Sequence, residues 1–430
     1  VQSGRLVPGT LLPPSRALAA DLGIARNTVT EAYGQLVAEG WLIARQGSGT
    51  RVAARDPALV TQPSPPPTPT RAARYDLRAG YPDVATFPRA EWMAAARSAL
   101  AKAPHDSFGY GDPCGRPELR AALAEYLARA RGVRASPDTI VVCSGFTQGL
   151  ALLGRALSQS GARAIGVEAY GHRRHREVLT DAGLQLVSMP VDDQGAQPSG
   201  LDADAALLTP AHQFPLGMAL SAERRSRFVD WAAKRDTYVI EDDYDGEFRY
   251  DRRPVGAMQA LAPGHVIYAG TASKTLAPGL RLAWLVVPES LLPAVLDGHA
   301  LIGAHPSVPD QLTLAEFIAS GRYDRHIRRS RLAYQRRRDR LIAALARDVP
   351  SVTVRGMAAG MHAVLDLAEE CDEREVVERA GRRDLAIDPL SEYTAEAHPP
   401  ALVIGYATPP AHAFTSAVAR LIATLADTSE

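Results

Sequence analysis

The chain has 430 residues, with 48 lysines and arginines against 48 aspartates and glutamates, and 46% of it is apolar. That length suggests two or three domains, each able to bury a core, and zero net charge excludes a polycation that would bind nucleic acid or membrane along its whole length. Cys114, Cys143 and Cys371 are too few and too far apart for a disulfide framework, no apolar run reaches membrane-spanning length and no signal segment opens the chain, so a reducing cytoplasm and no membrane are expected.

Residues 1–55 carry six arginines against Asp21, Glu31 and Glu39, a local positive excess that permits contact with nucleic acid. Pro14 and Ser15 offer a helix start, Leu18, Ala19 and Leu22 make an apolar stripe, and Gly23 supplies the stop. Val29, Tyr33, Leu36 and Val37 recur at i, i+4, i+7 and i+8, which predicts a second helix over 26–39, closed by Gly40. The stretches 41–44 and 50–53 are short strand candidates around Arg45-Gln46-Gly47-Ser48-Gly49, the outline of a wing. Such a helix-turn-helix presents Arg26, Asn27, Thr28 and Thr30 where base edges of double-stranded DNA are read, and Arg16, Arg45 and Ser48 suit phosphates. A small helical module for protein contact is the competing reading.

Residues 55–74 hold eight positions from Pro63 to Thr70 dominated by proline and show no apolar periodicity, so a linker is expected, spanning up to roughly 60 Å at ~3.1 Å per residue. An SH3-type ligand is the alternative. From residue 75 the pattern is α/β. Helices are expected over 91–100 and 117–130 and strands over 139–143, 164–168 and 205–209, an alternation that implies a mostly parallel sheet. Strand 139–143 runs into Ser144-Gly145-Phe146-Thr147, a turn that opens a helix and offers backbone N–H groups to a phosphate.

The run Thr237-Tyr238-Val239-Ile240 leads into Glu241-Asp242-Asp243-Tyr244-Asp245. A carboxylate such as Asp242 can keep the pyridine nitrogen of pyridoxal phosphate protonated, and Tyr244, two residues on, points to the same side of an extended segment and can bond the ring hydroxyl. A solvated acidic loop is the plainer reading. A metal site from Glu241, Asp242, Asp243 and Asp245 is a third, and no metal is expected because no histidine or cysteine stands near with ligand spacing. About thirty residues on, Lys274 sits between apolar stretches 265–269 and 283–287, in a connection between buried strands. A dry site would lower its pKa for Schiff-base chemistry, with Thr271, Ser273 and Arg281 gripping a phosphate; a surface lysine in a loop is the alternative. The arginine run 328–331 and 336–338 fits a long helix with Ile327, Leu332, Tyr334, Arg338 and Leu341, its basic side solvated, leading into an α/β part over 350–425. A second DNA contact is its rival reading.

The segments Leu12-Pro13-Pro14-Ser15-Arg16-Ala17-Leu18-Ala19, Arg26-Asn27-Thr28-Val29 and 32–40 resemble the GntR-type winged helix-turn-helix. Two departures stand out: most of the family's preceding helix is absent, which would leave the apolar faces of the other two partly uncovered, and Ala25 replaces a capping serine. Residues 75–430 resemble fold-type I pyridoxal-phosphate enzymes of the aspartate aminotransferase group, through Tyr110 with Gly115 and Leu119-Arg120, Gly145-Phe146-Thr147, Asp242 with Tyr244, and Thr271-Ala272-Ser273-Lys274 with Arg281. That resemblance implies an internal aldimine at Lys274, Asp242 on the pyridine nitrogen and Tyr244 on the ring oxygen. It surrounds the phosphate with Gly145, Phe146, Thr147, Thr271, Ser273 and Arg281, and brings Tyr110 of the partner subunit to it in a homodimer. His172 takes the place of the ring stacked on the cofactor, with Tyr170 as the other candidate.

Together the two halves are similar to the MocR/GabR group of transcriptional regulators, through 209–215, 241–250 and 273–278. Phe214 stands where aminotransferases carry an asparagine, and 402–406 aligns with the segment that holds their carboxylate-binding arginine but contains none. The expected plan is a winged helix-turn-helix over 1–54, the linker over 55–74 and the aminotransferase-like part over 75–430, its large portion about 100–300 and its small one about 325–430. The implied function is a pyridoxal-phosphate-dependent regulator that binds an operator and senses a small amine, an amino acid or the cofactor itself, without physiological turnover beyond a residual half-reaction. An aminotransferase or related enzyme with a helical extension is the alternative.

Overall fold

Two left-handed glycines set the path of the N-terminal unit. Gly23 (φ 67°) ends α1, Ser15–Leu22, and Gly40 (φ 72°) turns the chain after α2, Arg26–Ala38; a β-carbon would strain either position. The wing follows as β1, Leu42–Arg45, paired antiparallel with β2, Gly49–Val52. Ala19, Val29, Leu42 and Val52 form the buried centre. Leu22, expected in the apolar stripe of α1, is instead 59% exposed, because no other helix of this unit packs over it among the described residues. Ala25 gives α2 no side-chain cap.

This computed structural model describes residues 5–54, 73–250, 255–303 and 305–427. The chain divides into two compact units, Val1–Arg71 and Ala72–Glu430. The proline-rich stretch expected to act as linker lies, up to residue 72, outside the described residues. No helix among the described residues is long and apolar enough to cross a membrane.

The larger unit opens with β3, Tyr75–Asp76, then α3, Arg89–Lys102, and α4, Pro117–Arg131. Strands and helices then alternate: β4 Ile140–Cys143, α5 Phe146–Gln159, β5 Ala164–Glu168, α6 Arg173–Asp181 and β6 Gln185–Met189. A small hairpin of β7, Val191–Asp192, and β8, Gly195–Ala196, precedes β9 Ala205–Leu208, α7 Ala222–Arg235, β10 Tyr238–Asp242, β11 Val266–Thr271, the single turn α8 Ala272–Thr275 and β12 Ala283–Val286. The seven-stranded sheet has the order β4-β12-β11-β10-β9-β5-β6. Only β12 runs antiparallel to its neighbours, so the mostly parallel sheet is realised. Its central strands are apolar on both faces, as strands covered by helices on both sides must be.

After α9, Leu292–Ile302, and α10, Val308–Ala319, the 27-residue α11, Arg322–Asp348, leads into the small part. There β13 Thr353–Arg355, β14 His362–Asp366, β16 Asp388–Pro389 and β17 Ala401–Gly405 form an antiparallel sheet in the order β13-β14-β17-β16. It is backed by α12, Glu373–Arg382, and α13, Ala411–Ala426, while β15, Leu385–Ala386, pairs with β3.

Helix α11 departs from its expected pattern at two points. Leu332 is 55% exposed, whereas Arg337, expected on the solvated side, is buried. It shares a face with Tyr334 and Leu341, donates to Asp83 at 2.6 Å and also to the carbonyls of Ala407 and Pro409. Removing one partner of a buried pair strands the other charge, so Arg337→Met should lower stability by about 3–5 kcal/mol in urea unfolding followed by circular dichroism. Leu332→Ala should change it by less than about 0.5 kcal/mol.

Candidate cofactor site

Because β12 runs against its neighbours, Arg281 ahead of it and Lys274 after β11 reach the edge where β4, β5, β9 and β10 also end. Open α/β sheets bind ligands at that edge. A cavity of ≈ 190 Å³ lies there. Of the residues singled out from the sequence, Lys274, Asp242, Tyr244, Phe146, Thr147, His172, Thr271, Ser273 and Arg281 line it. Glu168, Tyr170, His175, Arg176, Thr209 and Phe214 are among the other residues of its wall.

The lysine is placed by a capped turn between two buried strands, as expected. Thr271 Oγ1 accepts from the Ser273 N–H at 3.1 Å and starts α8, from which Lys274 donates to the Gly80 carbonyl. Desolvation lowers the Lys274 pKa, while Asp242 and Asp245 pull it back up. Burial in turn raises Asp242 well above the carboxylate range, with Lys274 opposing. The acidic run is not a solvated loop, since Glu241, Asp242, Asp243 and Asp245 are all buried. Glu241 accepts from the N–H groups of Met258 and Gln259, and Asp243 pairs with Arg131 at 2.6 Å.

An anion cradle faces the lysine. Gly145 (φ 86°) ends the turn before α5, and a β-carbon there would lie 2.9 Å from the Arg281 guanidinium, so only glycine lets that side chain approach the helix start. Arg281 Nη2 donates to the Ser144 carbonyl at 2.7 Å. Phe146 and Thr147 at the helix start, Ser273 and Arg281 line the same cavity, a set of groups suited to a phosphate. Amine, buried carboxylate and cradle around one cavity fit pyridoxal phosphate.

The ring-stacking candidates both line the cavity. His172 lies parallel to Phe214, with centroids 4.2 Å apart and planes at 14°, while Tyr170 makes no such stack. Desolvation holds His172 well below its ordinary pKa and brings His175 down to about 4. Tyr110 is 102% exposed and does not line the cavity of its own chain.

Residues 75–421 match the family described as aminotransferase class I and II, and residues 1–52 match the bacterial regulatory proteins of the gntR family. The chain is 34% identical to the probable rhizopine catabolism regulatory protein MocR of Rhizobium meliloti, across 95% of this chain and 87% of the relative. It is 35% identical to the HTH-type pyridoxine biosynthesis transcriptional regulator PdxR of Corynebacterium glutamicum, across 91% and 86%. The chain belongs to the MocR-type transcriptional regulators. The multiple substrate aminotransferase from Thermococcus profundus shares the fold, with a TM-score of 0.75 at 24% identity over 84% of this chain and 93% of that one.

As a MocR-type regulator, the protein is a DNA-binding transcriptional regulator whose aminotransferase-like unit takes pyridoxal phosphate. In the DNA-binding unit Arg26, Asn27, Thr28 and Thr30 lie exposed in the first turns of α2, although the Thr30 hydroxyl is bonded back to the Arg26 carbonyl at 3.0 Å. Arg16 on α1, Arg45 at the end of β1 and Ser48 in the wing turn are exposed as well.

Sequence reasoning missed Glu168, His212 and His362. Glu168 ends β5 and accepts from the Thr209 N–H and hydroxyl and from Gln213. His212 and His362 gather round Asp245, ligand atoms within 4.8 Å, with His212 bonded to Asp245 and His362 to the Pro215 carbonyl. The strand-end position of Glu168 was the available signal; the histidines come from distant segments and carried none.

Arg281→Ala should weaken pyridoxal phosphate binding by about 1.5–3 kcal/mol, the range for a hydrogen bond to a charged group, in an absorbance titration. Burial raises the Glu168 carboxyl to about 7 from its ordinary 4.5. The folded state therefore binds the extra proton between those values, and this contribution to stability is complete below about 4.5 and lost as pH rises through about 7. Glu168→Gln should flatten that part of the pH–stability curve, by about 1–3 kcal/mol in urea unfolding at pH 5 and pH 8.

Proposed function

We propose that the aminotransferase-like unit is a sensor in which Lys274 holds pyridoxal phosphate and a small amine, an amino acid or the cofactor itself changes the affinity of the winged helix-turn-helix for its operator. The observation that carries this reading is the meeting of Lys274, Asp242 and the Arg281 cradle at one cavity, in a chain that also carries a gntR-type domain. When bound, the cofactor supplies an aldehyde for amines and an electron-accepting ring. Asp242 holds a proton at the pyridine nitrogen, Arg281 and the start of α5 grip the phosphate, and His172 covers the ring.

Recognition differs from that of an aminotransferase. β17 presents Leu402, Val403 and Ile404, all fully buried, where the family resemblance looks for a carboxylate-binding arginine. Without that clamp an α-carboxylate has no bidentate partner on this strand, which favours sensing over amino-acid turnover. The exposed Tyr110 suits a homodimer in which the partner subunit's Tyr110 reaches the phosphate. Arg26, Asn27, Thr28 and Thr30 read bases while Arg16, Arg45 and Ser48 hold the backbone.

The test is an absorbance spectrum of the full chain with pyridoxal phosphate, scanned against a panel of amines, with operator binding followed in the same samples. One amine should shift the visible band and change operator affinity by roughly 5- to 150-fold, a coupling of about 1–3 kcal/mol. Lys274→Ala should abolish both responses. Steady conversion of amino donors to oxo acids, without any effect on DNA, would establish the enzyme reading instead.

A further inference from the structure

The acidic run after β10 has no histidine or cysteine beside it in the sequence at ligand spacing, yet the fold brings two histidines to it. Asp245 lies just beyond β10, His212 in the connection after β9, and His362 opens β14 of the small part. One ligand atom from each lies within 4.8 Å of the other two, and the three residues are 2%, 3% and 4% exposed. The two imidazole centroids are 5.1 Å apart. Among the described residues no other three histidine, cysteine or carboxylate side chains meet this closely. None of the three lines the cofactor cavity, so the cluster is a separate place in the fold.

Hydrogen bonding decides which lone pairs are available. Nε2 of His362 lies 3.0 Å from the Pro215 carbonyl, which can only accept, so Nε2 holds a proton. Burial favours the neutral imidazole, whose other nitrogen then carries a lone pair. That nitrogen, Nδ1, is buried and has no hydrogen-bond partner among the described residues. A buried acceptor without a partner is costly, and an ion or a water is what relieves it. Histidines at metal centres have this arrangement, one ring N–H given to a backbone carbonyl and the other nitrogen turned to the ion. At His212, Nδ1 lies 2.9 Å from Oδ2 of Asp245 and 3.0 Å from the Tyr244 hydroxyl. A proton lies between that nitrogen and the carboxylate, in a place that a cation can take.

We propose that His212, Asp245 and His362 form a binding site for a divalent transition-metal cation of the zinc type, with the fourth position left to water. Two imidazoles and one carboxylate are ligand types that zinc takes. Zinc bonds of ~2.0–2.2 Å hold ligand atoms roughly 3.3–3.6 Å apart, so these three atoms reach coordination through a small adjustment. Binding makes two Zn–N bonds and one Zn–O bond, and the proton shared by His212 and Asp245 is displaced to Nε2 of the ring or to solvent. The ion then ties β14 of the small part to the segments that follow β9 and β10 of the seven-stranded sheet.

The experiment loads the cofactor-bound full chain with zinc chloride alone, removes free metal by gel filtration in metal-free buffer, and measures zinc per chain by elemental analysis. One zinc per chain is expected in the native sequence. His362→Gln and Asp245→Asn should lose it, while His172→Gln, altered in the cofactor cavity instead, should keep it. X-ray absorption of the loaded native protein should show two imidazole ligands, a count that depends on no variant folding. Absence of retained zinc in the native protein overturns the proposal and leaves Nδ1 of His362 to a buried water. Zinc that survives in folded His362→Gln, departs with His172→Gln, or lacks imidazole ligands overturns it as well, because the ion then sits in the cofactor cavity or on the surface.

Discussion

A lysine kept away from water is the constraint around which the larger unit is arranged. An amine in bulk solvent stays protonated at neutral pH and cannot attack an aldehyde, so the site has to make its charged form costly. Desolvation does so at Lys274, and the price of placing it there is met by Asp242 and Asp245, whose charges stop the shift from running further. The same burial raises Asp242, Glu168 and Tyr244, so each titratable group at this edge is held toward its neutral form except where a neighbour of opposite charge is built in.

Sheet topology makes that arrangement possible. In a wholly parallel sheet, a strand next to β11 would return through a crossover, and its start would lie at the far edge. Antiparallel β12 instead follows β11 through one turn of helix and a short loop, and Thr271 lies opposite Ala283 in the register. Lys274 and Arg281 are thereby held by one short connection whose two ends are anchored in fully buried strands.

Much of this was legible in the chain. α1, α2 and the wing follow from apolar spacing punctuated by Gly23 and Gly40, and Lys274 from its place between two apolar runs. Asp242 and Tyr244 were expected to share a side on one extended segment. They do share the cavity, but β10 ends at Asp242, and the placement of Tyr244 depends on His212 and Asp245 beyond the strand. What stayed hidden was the partnering of buried polar groups. Arg337 reads as one more arginine on a basic helix until Asp83 is brought to it from 254 residues away. His212 and His362 are likewise isolated in the sequence. Leu22 errs in the opposite direction: helical spacing identifies an apolar position but cannot say whether another element covers it.

The bond from Lys274 to the Gly80 carbonyl has one more implication. Gly80 follows β3 at the very start of the larger unit, on the segment by which the polypeptide enters it from the DNA-binding side. An amine committed to another bond no longer has its full set of protons to donate, so occupancy at the sheet edge is felt as a lost tether on that entering strand. The molecule thus ties chemistry at one side chain of the sheet edge to the backbone at the start of its larger unit.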